Sequence, residues 1–224
     1  MRRRRYDPVG PFSWRNALAY GFCAGLAHNV MRLLFRVRHC DTWPLPEGPV
    51  ILAPNHCSFV DPLVVGPFVT RRVVFMMYAK YYDNPVFHWV YRAARCIPVD
   101  VGSESRRALR EGKRVLDAGK PLVIFPEGRI SPDGALQPAQ PGLAWLARMT
   151  GAPVVPMHIG GSRDVLTKGS WKVRFKPMTL RQGRPRRRAE FPPGRRGDEA
   201  FSDAVMADIA ALDPARDATG GSTG

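Results

Sequence analysis

Acidic residues are in short supply in this sequence: 19 Asp and Glu face 34 Lys and Arg, a net charge of +15. An excess of that size attracts polyanions, and charge alone leaves nucleic acid, an anionic bilayer and a phosphorylated substrate open. Cysteine is also sparse. Cys23, Cys40, Cys57 and Cys96 form no C-x-x-C pair and have no metal-like spacing, so the sequence encodes neither a thiolate metal centre nor a dithiol redox motif. A chain of 224 residues can bury a core without disulfides, and four free thiols in a reducing compartment is the plainer reading.

A long apolar run is missing too. The apolar stretch 17–27 follows the basic tetrad Arg2–Arg5 but is interrupted by His28, Asn29 and Arg32 before Leu33, Leu34 and Phe35. It falls short of the ~20 apolar residues a membrane span requires. A basic lead-in followed by an apolar, aromatic helix fits a peripheral or monotopic anchor on an anionic leaflet, hence the cytoplasmic face of the cell membrane. The alternative is a first helix packed on the core behind a solvated basic tail.

Three segments are expected: a basic N-terminal stretch with its helix (1–38), one domain (39–212) and a disordered tail (213–224). Within the domain, short apolar runs bounded by Pro or Gly predict strands at 50–53, 73–78, 96–99, 122–125 and 154–159, with a weaker one at 172–176. Helical spacing predicts helices at 17–38, 60–70, 84–94, 103–118, 140–150 and 198–212, and Gly119 and Gly151 stop two of them. Residues 182–197, rich in Arg, Pro and Gly, read as an exposed basic loop. Alternating strands and helices predict an α/β fold with a mainly parallel central sheet flanked by helices. In such folds ligands bind beyond the C-terminal ends of the strands.

Two strand ends carry chemistry. After 50–53 comes Asn55-His56-Cys57-Ser58-Phe59-Val60-Asp61, in which a His is followed five residues later by an Asp. The carboxylate can fix one imidazole nitrogen as N–H and leave the other to accept a proton. Residues five apart do not share a helix face, so the pairing needs a turn or helix start between them, which Asp61-Pro62 favours. Cys57 reads as structural, since adjacent side chains diverge. After 122–125 comes Pro126-Glu127-Gly128-Arg129, where Glu127 and Arg129 offer an acceptor and a fork-shaped cation beside a permissive glycine. Lys80, Arg95 and Asp100 flank other strand ends.

Asn55–Asp61 resembles the N-H-x-x-x-x-D signature of the glycerolipid acyltransferases, which act on lysophosphatidic acid and related lysophospholipids. Ala79-Lys80, Ile97-Pro98-Val99-Asp100, Phe125–Gly128 and Val154-Val155-Pro156 resemble further blocks of that family in its order, over roughly residues 35–180. The resemblance implies an α/β domain, His56 as general base with Asp61 as its partner, and Lys80, Arg95, Glu127, Gly128 and Arg129 as substrate-binding residues. It further implies acyl-CoA or an acyl carrier protein as donor, a lysophospholipid as acceptor (1-acylglycerol-3-phosphate by default), and neither metal nor resident cofactor.

The sequence departs from the family at two arginines that hold the acceptor phosphate. Val101 follows Asp100 where Arg is usual, and Glu127-Gly128 is followed by Arg129-Ile130 rather than Thr-Arg. Arg129 can compensate from one position earlier, and Arg95, Arg106 or Lys80 can replace the other. Lysophosphatidylethanolamine or an aminolipid is therefore the alternative acceptor, and an inactive acyltransferase-like protein is a third reading. A nucleic-acid-binding module is the reading from a different class, but the arginines of 184–196 are interleaved with only one aromatic, Phe191. No nucleic-acid partner is expected.

Overall fold

A computed structural model describes residues 14–41, 44–79, 96–99, 103–167 and 172–213. In chain order the elements are α1 (Trp14–Leu34), β1 (Arg38–Asp41), β2 (Ile51–Pro54), α2 (Asp61–Phe68), β3 (Val74–Tyr78), β4 (Ile97–Val99) and α3 (Ser103–Asp117). They continue with β5 (Leu122–Val123), α4 (Gly142–Thr150), β6 (Val154–Gly160), the single turn α5 (Ser162–Val165), β7 (Thr179–Gln182), a 3-10 turn (Arg188–Glu190) and α6 (Gly194–Ala211). The helix expected at 84–94, like the tail and the Arg2–Arg5 tetrad, lies outside the described residues.

The strands form one sheet in the order β1-β7-β6-β2-β5-β3-β4. β6, β2, β5, β3 and β4 are mutually parallel; β7 is antiparallel to β6, and β1 runs parallel to β7. The expected mainly parallel α/β architecture is therefore present. Its apolar runs are continuous because both faces are covered. In β2, Leu52 joins the core under α1 and α2, while Ile51 and Ala53 join the core under α3, α4 and α6.

Two expectations need correction, at 172–176 and 182–197, and one strand, β1, has no counterpart among those expected. Residues 172–176 alternate in a strand-like way but form no strand; the strand lies further on, at Thr179–Gln182. β1, with the polar sequence Arg-His-Cys-Asp, pairs only with β7 and carries no apolar signature. The loop after β7 is also not a freely exposed basic segment. Arg186 exchanges two backbone hydrogen bonds with Val154, each 2.8 Å, and its guanidinium pairs with Asp208 of α6. Arg188 is only 6% exposed; it donates to Asp198 at 2.6 Å and to the carbonyls of Phe191, Pro192 and Gly194. Because β7 is antiparallel to β6, this basic loop emerges at the end of the sheet opposite the C-terminal ends of β2 and β6.

Removing a buried charge partner costs about 3 kcal/mol or more, whereas a half-exposed pair is worth about 1 kcal/mol or less. Arg188→Ala is therefore expected to lower Tm by roughly 6–12 °C for a domain of this size. Arg186→Ala, whose ion pair is partly solvated, should lower it by a few degrees at most. Calorimetry showing equal losses would contradict the assignment of Arg188 as the buried tie.

Candidate active site

The C-terminal ends of β2, β5 and β6 lie at one edge of the sheet, since Ile51 is in register with both Leu122 and Val154. Three segments leave that edge together. Asn55 ties the first to the third: its amide donates to the Ile159 carbonyl (3.1 Å) and accepts from the Ile159 N–H (2.6 Å). This copies a ladder pair with a side chain and fixes where the next residue, His56, emerges.

The His56 backbone is then held from both sides by the segment that follows β5. Its N–H donates to Glu127 Oε1 at 2.8 Å, and its carbonyl accepts from the Ser131 N–H at 2.8 Å. The other Glu127 oxygen accepts from the Gln137 N–H at 3.0 Å. Gly128 makes this turn possible, at φ +68°, where a Cβ would also lie 2.9 Å from Gln140 Cγ. Phe125 stacks on the imidazole with centroids 3.9 Å apart and an interplanar angle of 20°.

The side chain of His56 meets Asp61, as the spacing anticipates. Nδ1 lies 2.9 Å from Oδ2 of the fully buried Asp61 carboxylate. Val60 and Asp61 begin α2 with Pro62 next, so the five-residue separation closes over a turn into a helix start. The same Oδ2 accepts the N–H groups of Cys57 and Ser58, each at 2.8 Å. A carboxylate oxygen that already accepts two N–H groups favours a proton on His56 Nδ1, the tautomer that leaves Nε2 of the neutral imidazole its lone pair. His56 is 16% exposed, open enough for a substrate atom to reach that nitrogen.

Charge around the site is set by burial. Desolvation raises the Glu127 pKa above the ordinary carboxylate value, while the two N–H bonds and His56 pull it down. Glu127 ionisation thus opposes folding: protonation favours the folded state, and that contribution is lost as pH rises through the raised pKa. The Cys57 thiol is pushed up to about 11 by burial first and by the Asp61 and Glu127 carboxylates next. Such a thiol is a poor nucleophile, in keeping with a structural Cys57.

Among the substrate-binding candidates, Glu127 and Gly128 reach His56 through the backbone clamp. Arg129 is exposed beside it, whereas Ile130, at the position of the usual arginine, is buried. Arg106 is exposed near the start of α3. Lys80, Arg95 and Asp100 lie outside the described residues. Sequence reasoning missed Arg163, an exposed residue in the turn after β6 whose guanidinium packs over Gly134, the residue whose carbonyl accepts the Cys57 S–H at 3.8 Å. The available signal was an arginine just past a strand end, in Gly160-Gly161-Ser162-Arg163. Among the described residues no group of His, Cys, Asp and Glu could hold a metal ion.

The family model described as Acyltransferase matches residues 35–160. The 1-acyl-sn-glycerol-3-phosphate acyltransferase of Cocos nucifera is 30% identical over 134 residues, covering 58% of this chain and 44% of that protein. The enzyme of the same name from Limnanthes alba is 29% identical over 130 residues, covering 57% and 46%. The mouse (Mus musculus) lysophospholipid acyltransferase LPCAT4 is 32% identical over 155 residues, covering 65% and 28%. The chain thus spans about half the length of the first two relatives. In fold it is similar to the crystal structure of the 1-acyl-sn-glycerophosphate (LPA) acyltransferase PlsC from Thermotoga maritima, with a TM-score of 0.69 at 23% identity over 89% of this chain and 82% of that one.

With a pKa of about 11 for Cys57, roughly 0.1% of that thiol is thiolate at pH 8, against about a quarter for an ordinary cysteine. Iodoacetamide at pH 8 should label the exposed Cys40 at least tenfold faster than Cys57, and the Cys57 rate should climb up to pH 11. Mass spectrometry of the alkylated peptides checks both; rapid labelling of Cys57 at pH 8 would refute the burial argument.

Proposed function

The chain belongs to the acyltransferase family, and on that premise we propose that it transfers a fatty acyl group from a thioester to the hydroxyl of a lysophospholipid. The observation that carries this reading is the His56–Asp61 pair, with Nδ1 fixed by a buried carboxylate and the His56 backbone clamped on both sides. His56 Nε2 takes the acceptor's hydroxyl proton as the oxygen attacks the thioester carbonyl. The C–S bond of the tetrahedral intermediate then breaks, and the departing thiolate recovers the proton from the imidazolium. Asp61 stabilises the imidazolium between these steps and holds the tautomer throughout.

The donor in this reading is acyl-CoA or an acyl carrier protein, and the acceptor of first choice is 1-acylglycerol-3-phosphate. Arg129 and Arg163, both exposed at the site's edge of the sheet, are the two cations available to its phosphate among the described residues of the 127–131 and 160–167 turns. Arg129 thereby serves one position earlier than the usual arginine. We place the protein at the membrane surface, on the cytoplasmic face. Leu18, Phe22, Leu26 and Leu33 of α1 are all exposed and lie within about 80° of one another around the helix axis. The opposite face of α1 packs on α2, where His28 meets Phe68 and the Pro67 carbonyl. Among the described residues no helix is long and apolar enough to cross a membrane.

General-base catalysis is typically worth ~10²–10⁴-fold. His56→Ala should abolish measurable transfer of labelled acyl groups to lysophosphatidic acid, and Asp61→Asn should reduce kcat by at least a hundredfold. A folded His56→Ala protein with near-normal turnover would sink the mechanism.

The phosphate assignment has its own signature. Arg129→Ala and Arg163→Ala should each raise KM for lysophosphatidic acid about tenfold or more, with kcat changed far less, because a charge-assisted bond lost from the remote phosphate mainly weakens binding. If neither variant moves KM, or if both favour an acceptor without a phosphate, the acceptor assignment fails.

A further inference from the structure

The segment 172–176, which alternates like a strand but pairs with none, is placed for a different contact. Lys172, Arg174 and Lys176 are exposed, and between them Val173 is 49% and Phe175 60% exposed. Burying that much apolar surface is favourable, yet neither core cluster takes these two side chains. Their base is nonetheless rigid. The Arg174 N–H donates to the Val165 carbonyl (2.8 Å), the Lys176 N–H to the Arg174 carbonyl (3.0 Å) and the Met178 N–H to the Phe35 carbonyl (3.1 Å). The Phe175 ring leans on the buried Phe35, with centroids 5.4 Å apart.

Two connections place this segment at the catalytic end of the sheet. Val165, which holds Arg174, is followed by Leu166, whose carbonyl accepts the Ser58 hydroxyl at 2.7 Å; Ser58 in turn donates its N–H to Asp61. Phe35 follows Leu33 and Leu34, both exposed at the end of α1, so residues 173–175 sit beside the end of that helix. Cations alternating with apolar tips are what an anionic leaflet selects: the apolar groups enter the headgroup boundary while the ammonium and guanidinium groups stay with the phosphates.

We propose that residues 172–176 form a second membrane-contacting element that docks on an anionic phospholipid surface and, together with α1, fixes the tilt that turns the His56 mouth towards the bilayer. This rests on the reading of the protein as a lysophospholipid acyltransferase. The occupant is a bilayer and not an acidic carrier protein, because the surface is apolar at its tips and lies beside the end of α1, which carries its own exposed apolar face.

The test uses the full chain and large unilamellar vesicles, either phosphatidylglycerol with phosphatidylethanolamine or pure phosphatidylcholine. Val173→Ser combined with Phe175→Ser should weaken cosedimentation with anionic vesicles about tenfold. Replacing Lys172, Arg174 and Lys176 together by Gln should weaken it at least tenfold on anionic vesicles only, since each cation near such a surface contributes about fivefold. Both variants should lose transfer to lysolipid embedded in vesicles in parallel with binding, but keep transfer to a short-chain, water-soluble lysolipid.

Phe175→Trp gives a direct readout: compared with the parent protein, its added emission should shift to the blue and be quenched by shallow brominated lipids. Variants that bind and act on vesicles like the parent, an added tryptophan that senses no lipid, or variants that change only binding to an acidic carrier protein would each overturn the proposal. A parent that docks through this segment but acylates no lysolipid would instead sink the functional reading and leave the docking result standing.

Discussion

The His56 peptide is held by groups that cannot easily move. Its N–H ends on the Glu127 carboxylate, its carbonyl on the Ser131 N–H, and its predecessor Asn55 is clipped to Ile159. A buried carboxylate normally costs several kcal/mol unless it is hydrogen-bonded, so Glu127 is tolerated only while both of its oxygens receive N–H donors. That requirement couples the segments that follow β2 and β5, and Asn55 adds β6 to them. The turn at 127–131 cannot relax without stranding a charge, and His56 cannot shift without stranding Glu127. Asp61 holds the imidazole itself, gathering Nδ1 and two backbone N–H groups on one oxygen. The site is preorganised because moving any part of it would leave a buried ion unpaired.

This division of labour also accounts for the displaced arginine. The buried Ile130 occupies the inward side of the turn next to the clamp, and Arg129 points outward. The cation has moved without disturbing Glu127, Gly128 or Ser131. On the proposed function, selectivity would be adjusted at the exposed residues 129 and 163, while the clamp on the His56 backbone stays constant.

How much of this could be read from the sequence depends on what each residue buries. Strands at 51–54 and 154–160, and the first residues of 74–78 and 97–99, announce themselves because both of their faces are covered there, so their apolar runs are continuous. β1 and β7 do not, because an edge strand made of Arg-His-Cys-Asp owes its existence to a partner far along the chain, not to its own composition. The alternation at 172–176 misled for the converse reason: a period of two reports that one side is apolar, but not what covers it. In the site, the His56–Asp61 pairing was legible from spacing and a proline. The backbone role of Glu127 was not, since a carboxylate that accepts from peptide N–H groups looks the same in sequence as one that binds a ligand. Arg188, read as part of a solvated basic loop, is buried because a carboxylate and three carbonyls converge on it.

The pairing of β1 with β7 imposes an order on folding. Arg38 finds its partner at Thr179, about 140 residues later, so β1 cannot enter the sheet until nearly the whole domain has been made. The α1 helix precedes β1 and every other described strand, so it is made before any of them. α2 follows soon after and can cover its inner face, but β1 has no strand to pair with until β7 is made. On the proposed docking, the exposed face of α1 is ready for the bilayer before the domain behind it is complete.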